Sequence, residues 1–74
     1  MQPDGFEGGY WEATAGNRGT LVYVVKILPW GALLRVRYAA GWMHRVVTSD
    51  TLASWDWRYV DVEEAKAWPD WKLQ

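Results

Sequence analysis

The feature that most constrains this chain is the run from Leu21 to Val47, which reads as three extended segments separated by two tight breaks. Thr20 to Leu28 is dense in β-branched and aromatic residues, and Pro29-Trp30-Gly31-Ala32 interrupts it. Leu33 to Tyr38 then alternates Leu34, Val36 and Tyr38 against Leu33, Arg35 and Arg37. A period of two is what a half-buried strand requires, because successive side chains leave opposite faces. Ala39-Ala40-Gly41 suits a three-residue hairpin loop with glycine in the left-handed last position. These segments predict three antiparallel strands.

The two turns also predict a register. A loop over Ala39-Ala40-Gly41 pairs Tyr38 with Trp42, Val36 with His44 and Arg35 with Arg45. Pairing Leu28 with Leu33 puts Tyr23 opposite Tyr38, Val25 opposite Val36, Ile27 opposite Leu34 and Lys26 opposite Arg35. One face then carries Tyr23, Val25, Ile27, Leu34, Val36, Tyr38, Trp42, His44 and Val46. A slip of one residue would carry Arg45 into that apolar face, so burial specifies the pairing. A five-residue turn from Ala15 to Gly19 adds Trp11 beside Tyr23. The expectation is an aromatic row of Trp11, Tyr23, Tyr38 and Trp42, backed by a basic row of Lys26, Arg35 and Arg45 with Arg37 beside it.

The remaining elements are short. Gly9 to Thr14 reads as a first strand, Thr48 to Ala53 as a turn or single helical turn, and Trp55 to Val60 as a last strand. Asp61 is a good N-cap for a short helix through Trp68, with Glu63 and Glu64 in its first turn and Pro69 ending it. The expected organisation is a flexible lead-in over residues 1–8, a β-barrel over 9–60, and a short helix and tail over 61–74. At 74 residues the chain has room for one core. A domain this small buries only about 60% of its unfolded surface, so large side chains must supply the stability. Seven Trp and four Tyr meet that need.

Five short strands with a helical turn before the fifth resemble a small Src-homology-3-type barrel and its Tudor relatives, over residues of about 9–60. The Tudor-like part is Tyr23-Val24-Val25-Lys26-Ile27, then Val36-Arg37-Tyr38-Ala39-Ala40-Gly41, then a strand ending near Leu52. The resemblance implies an all-β, five-stranded antiparallel barrel with a short C-terminal helix. It is one of architecture, which carries fold further than activity. Ala39 and Ala40 stand where the Tudor pattern usually has acidic residues, which counts against recognition of a methylated cation.

Catalysis and metal binding find little support. The chain has one His and no Cys, no Gly-rich loop precedes a helix, and no ligand cluster is visible. No catalytic residue, metal site or cofactor is expected. His44, between Val25 and Val36 in the predicted sheet, reads as a neutral core histidine. Residues 1–20 lack a secretory signal, and no apolar stretch approaches the ~20 residues of a membrane span. A soluble, cytoplasmic protein without a membrane partner is the expectation.

The two rows leave alternatives open. The aromatic row is either a packed barrel end or an open cage, with Trp11, Trp42 and the turn residue Trp30 best placed for exposure. The basic row juxtaposes like charges, which a sheet disfavours unless something compensates. Glu12, Asp56 or the acidic C-terminal helix could fold over it, or an external anion could. Residues 18–58 carry six cations against Asp50 and Asp56, although the whole chain has a net charge of −1. The leading expectation is a non-enzymatic protein-interaction module acting through Trp30, Trp42, Trp11, Lys26, Arg35, Arg37 and Arg45. Its size suits a small accessory or phage-type regulatory protein. The alternative is nucleic-acid binding, with the basic residues on phosphates and Trp30 or Trp42 stacking on bases. A homo-oligomer through an open edge strand is the third.

Overall fold

The longest strand, β2 (Arg18–Leu28), occupies the middle of the sheet. In the computed structural model, which describes residues 6–16 and 18–69 (the side chain of Arg18 excepted), it is flanked by β1 (Tyr10–Ala15) and β3 (Gly31–Tyr38). β4 (Gly41–Thr48) follows β3, α1 (Ser49–Ser54) crosses over, β5 (Asp56–Val60) pairs with β1, and α2 (Val62–Lys66) ends the fold. All pairings are antiparallel and the order is β4-β3-β2-β1-β5. The sheet stays open, with β4 and β5 as its edges. Five strands and the helical turn before the fifth stand in the expected order, and the final helix starts after Asp61 as expected but ends at Lys66 rather than running through Trp68. Residues 1–5 of the expected lead-in, Asn17 of the first turn and residues 70–74 of the tail lie outside the described residues.

Side chains cap both helices, Asp61 as the sequence reads and Thr48 in addition. The Thr48 hydroxyl accepts from the Thr51 N–H, and the Asp61 carboxylate accepts from the Glu64 N–H at 2.8 Å. Each cap satisfies a donor that a helix start leaves orphaned. A helix as short as α2 has too few internal bonds to stand alone. Burial of Trp68 against Leu21 and Val60 fixes it to the sheet.

The main core lies on one face. Trp11 and Ala13 of β1, Val22 and Val24 of β2, Ala32, Leu34 and Val36 of β3 and Val47 of β4 are buried there with Leu52 of α1. Burying each Val or Leu among them contributes about 1.5–3 kcal/mol. Phe6 belongs to the same cluster at 3% exposure. Its ring stands edge-on to Trp57 with centroids 4.7 Å apart and contacts Trp11 at 5.5 Å. The Gly8 N–H donates to the Val24 carbonyl, and the Ile27 N–H donates to the Glu7 carboxylate. Residues 6–8 of the expected flexible lead-in are thus docked along β2.

The other face carries a smaller cluster of Leu21, Val60 and Trp68, with Tyr10, Trp42 and Ala65 packed against it. Burial on both faces explains why Leu21 and Val22 are apolar in succession where simple alternation would place one outside.

The registers differ from expectation at three turns. Ala15 pairs with Arg18, so Tyr10 and not Trp11 lies opposite Tyr23. Leu28 pairs with Gly31 across a turn of Pro29 and Trp30 alone, and a bulge between Val24 and Lys26 shifts the pairing further. Tyr23 therefore faces Arg35 and Lys26 faces Leu33. Tyr38 pairs with Gly41, which leaves a two-residue turn in place of three. Gly41, at φ +125°, takes its unusual conformation inside the ladder. That one-residue shift inverts β4: Arg45 faces Leu34, Val36 faces Met43, and Arg35 faces His44.

Candidate functional site

The corrected register breaks up both predicted rows. Tyr23 and Trp42 lie on the α2-covered face, whereas Trp11 and Tyr38 pack with the main core. Tyr10 completes the outer group, with ring centroids 5.0 Å from Tyr23 and 6.1 Å from Trp42. The Arg35 guanidinium sits 5.4 Å from the Trp42 ring centroid, a contact of about 0.5–1 kcal/mol at such a site. Trp42 is half-buried by these neighbours, and Trp11 is buried. Neither is an open cage wall.

The cations divide similarly. Lys26, Arg35 and Arg37 share the outer face through their pairing with Leu33, His44 and Trp42, while Arg45 projects from the opposite side of β4. His44 is exposed beside Arg35, not a core histidine between Val25 and Val36. Arg37 donates to the Tyr38 carbonyl beside it. Of the acidic groups expected to cover the basic row, Glu12 and Glu64 of the C-terminal helix meet a different residue. Arg58 Nε lies 2.9 Å from Glu12 Oε1, and Arg58 Nη2 lies 2.5 Å from Glu64 Oε2. The hydrogen bonds it donates to Glu64, then to Glu12, hold the guanidinium pKa above its ordinary value. Among the described residues Lys26, Arg35, Arg37 and Arg45 form no ion pair.

Arg45 instead borders a cavity of about 220 Å³ on the core-bearing face. Ala13, Val22 and Val36 form its buried floor, Ala15 and Thr20 line one side, and Tyr38, Arg45 and Trp55 form the rim. β1, β2, β3 and β4 all contribute, with Trp55 from the α1–β5 junction, so the cavity exists only once the sheet has assembled. A shallower groove of about 350 Å³ runs along β4 past Tyr38, Met43, His44 and Arg45. The two hollows share Tyr38 and Arg45. Met43, His44, Arg45 and Val46 are exposed in succession on this edge strand, Met43 at 59% and Val46 at 52%. β4 pairs only with β3, and the lack of a second neighbour leaves them so.

Trp30 occupies the turn tip at 56% exposure, and its carbonyl accepts from the Ser49 N–H at 2.9 Å. It lies at the Gly31–Thr48 end of the β3–β4 ladder, whereas the groove begins at the Tyr38–Gly41 end. Trp30 is therefore separated from Tyr38 by roughly the length of β3, about 25 Å. Sequence reasoning missed Tyr38 and Trp55 as partners of Arg45, and missed Met43 altogether. The alternation in β4 held the signal, but the one-residue error in the turn reversed its sense.

Among the described residues no group of three or more His, Asp or Glu side chains is placed to hold a metal ion. No helix there is long and apolar enough to cross a membrane. Comparison with known proteins finds no matching family model, no matching curated protein and no matching solved structure.

Proposed function

We propose that this chain is a non-enzymatic protein-interaction module of the small Src-homology-3-like type, acting as a cytoplasmic accessory protein, whose docking element is the open edge of β4. The strand order and the helical turn before β5 support that architecture. One observation carries the function: β4 exposes four successive residues, two of them large and apolar, beside a groove. An eight-residue edge strand usually carries Pro, Lys or a covering loop to prevent pairing. β4 has no Pro or Lys and carries a single charged side chain, Arg45, so an extended partner segment with a complementary acid could add to it, gain main-chain hydrogen bonds and cover Met43 and Val46.

Panning a displayed random-peptide library against the immobilised chain tests this reading. Peptides should bind the native protein and lose at least about tenfold in affinity for Met43→Lys/Val46→Lys, which guards the edge with charge. Retention of all binding by that variant would remove β4 as the docking element. Self-association through the same edge would appear as a dimer in sedimentation that the variant abolishes.

Nucleic-acid binding is the second reading, favoured by Lys26, Arg35 and Arg37 on one face without acidic partners among the described residues. It requires affinity for duplex DNA to fall with log salt at a slope of about −0.9 per phosphate contact. A flat salt dependence, or no binding at low salt, rejects it.

A further inference from the structure

We propose that the cavity bounded by Tyr38, Arg45 and Trp55 is the specificity pocket of the β4 edge, and that it takes an apolar side chain of a partner peptide whose carboxylate lies two residues away. This inference rests on β4 being the docking element. Size is the first argument. A dry apolar cavity of about 150 Å³ accommodates a benzene-sized ring, and this one measures about 220 Å³. Its floor of Ala13, Val22 and Val36 and its wall at Ala15 are apolar, and polar side chains enter only at Thr20, Tyr38 and Arg45, so the deep end suits an apolar group.

Charge is the second argument. Arg45 is the one ionic group on the lining, is exposed at the rim, and forms no ion pair among the described residues. Asp56, next in the chain to the rim residue Trp55, does not pair with it. A guanidinium in that position is complementary to a carboxylate, which it can hold with two parallel hydrogen bonds.

Position links the two. The cavity and the edge groove share Tyr38 and Arg45, so a strand laid along β4 passes the cavity mouth. Side chains two apart on that strand point to the same face. One can enter the cavity while the next on that face meets Arg45. A nucleic acid fits less well, because Lys26, Arg35 and Arg37, which would follow its phosphates, lie on the opposite face.

The library selection already described supplies the probe. Its enriched peptides should carry Phe, Leu, Ile or Met with Asp or Glu two positions away. A synthetic peptide from the leading clone should bind Arg45→Gln and Arg45→Glu at least about tenfold more weakly than the native chain, the scale of a lost charge-assisted contact. Changing its acid to the amide should weaken binding to the native chain but leave binding to Arg45→Gln nearly unchanged, which is the non-additivity of a direct contact. Circular dichroism checks that both variants, altered at an exposed position, remain folded. Enrichment without acids, or an additive cycle, overturns the pocket while leaving the docking edge in place. Peptide binding indifferent to both Arg45 and the Met43→Lys/Val46→Lys pair overturns both.

Discussion

Leu34 and Arg45 are direct partners across β3 and β4, the first fully buried and the second exposed at the cavity rim. Arg35, one residue along, faces His44 on the other side of the sheet. The two arginines are therefore separable. Arg45→Glu should affect peptide binding at the edge, whereas Arg35→Glu should affect affinity for duplex DNA if the second reading holds. Titrations of both single variants with both ligands check this. An equal loss for one ligand from either substitution would contradict the assignment of the residues to opposite faces.

Phe6 should contribute to stability in spite of its place in a Gly- and acid-rich segment. Phe6→Ala removes a ring packed on Trp57 and Trp11, and should cost about 3–5 kcal/mol in urea unfolding. A change below about 0.5 kcal/mol would mean that the segment is not docked in solution.

Gly31 is required by space. A Cβ there would run into the carbonyl oxygen of Val47 and the Thr48 backbone, neither of which can rotate aside. Gly31→Ala should destabilise the fold by about 1–3 kcal/mol, as overpacking does. Gly41→Ala meets no such obstruction and is disfavoured only by its φ of +125°. Chemical denaturation of the two variants compares steric with conformational strain.

Arg58 joins β5 to β1 through Glu12 and to α2 through Glu64. Its side chain is half exposed, so Arg58→Ala should cost no more than about 1 kcal/mol, and less at high salt. Trp68→Ala should do more, releasing α2 from Leu21 and Val60. Hydrogen exchange of the Val62–Lys66 amides should accelerate strongly in Trp68→Ala and weakly in Arg58→Ala.

Trp30, exposed at its turn, should be nearly silent in folding. Trp30→Ala should shift stability by no more than about 0.5 kcal/mol, as surface changes usually do. If it anchors a partner, the same change should weaken association by about 2 kcal/mol. A large stability loss with unchanged association would place its role in the fold instead.

The chain's strands, its two short helical segments and the Asp61 cap were legible locally. β-branched alternation, Pro29, Gly41 and Asp61 act through their own backbone and immediate neighbours, so the five strands and both helices can be read from sequence alone. Face assignment is different, because one residue in a turn decides it for a whole strand. Ala39-Ala40-Gly41 is compatible with a loop of two or three residues. The choice moves Arg45 from beside Arg35 to opposite Leu34. The bulge at Val24–Lys26 lies where the Glu7–Gly9 segment, distant in sequence from β2, bonds to Val24 and Ile27. The cavity is a further step removed, since its walls come from four strands and Trp55, which are distant in sequence. Arg45 and Tyr38 meet through the β3–β4 pairing, and Trp55 joins them only where the segment between α1 and β5 packs against the main core.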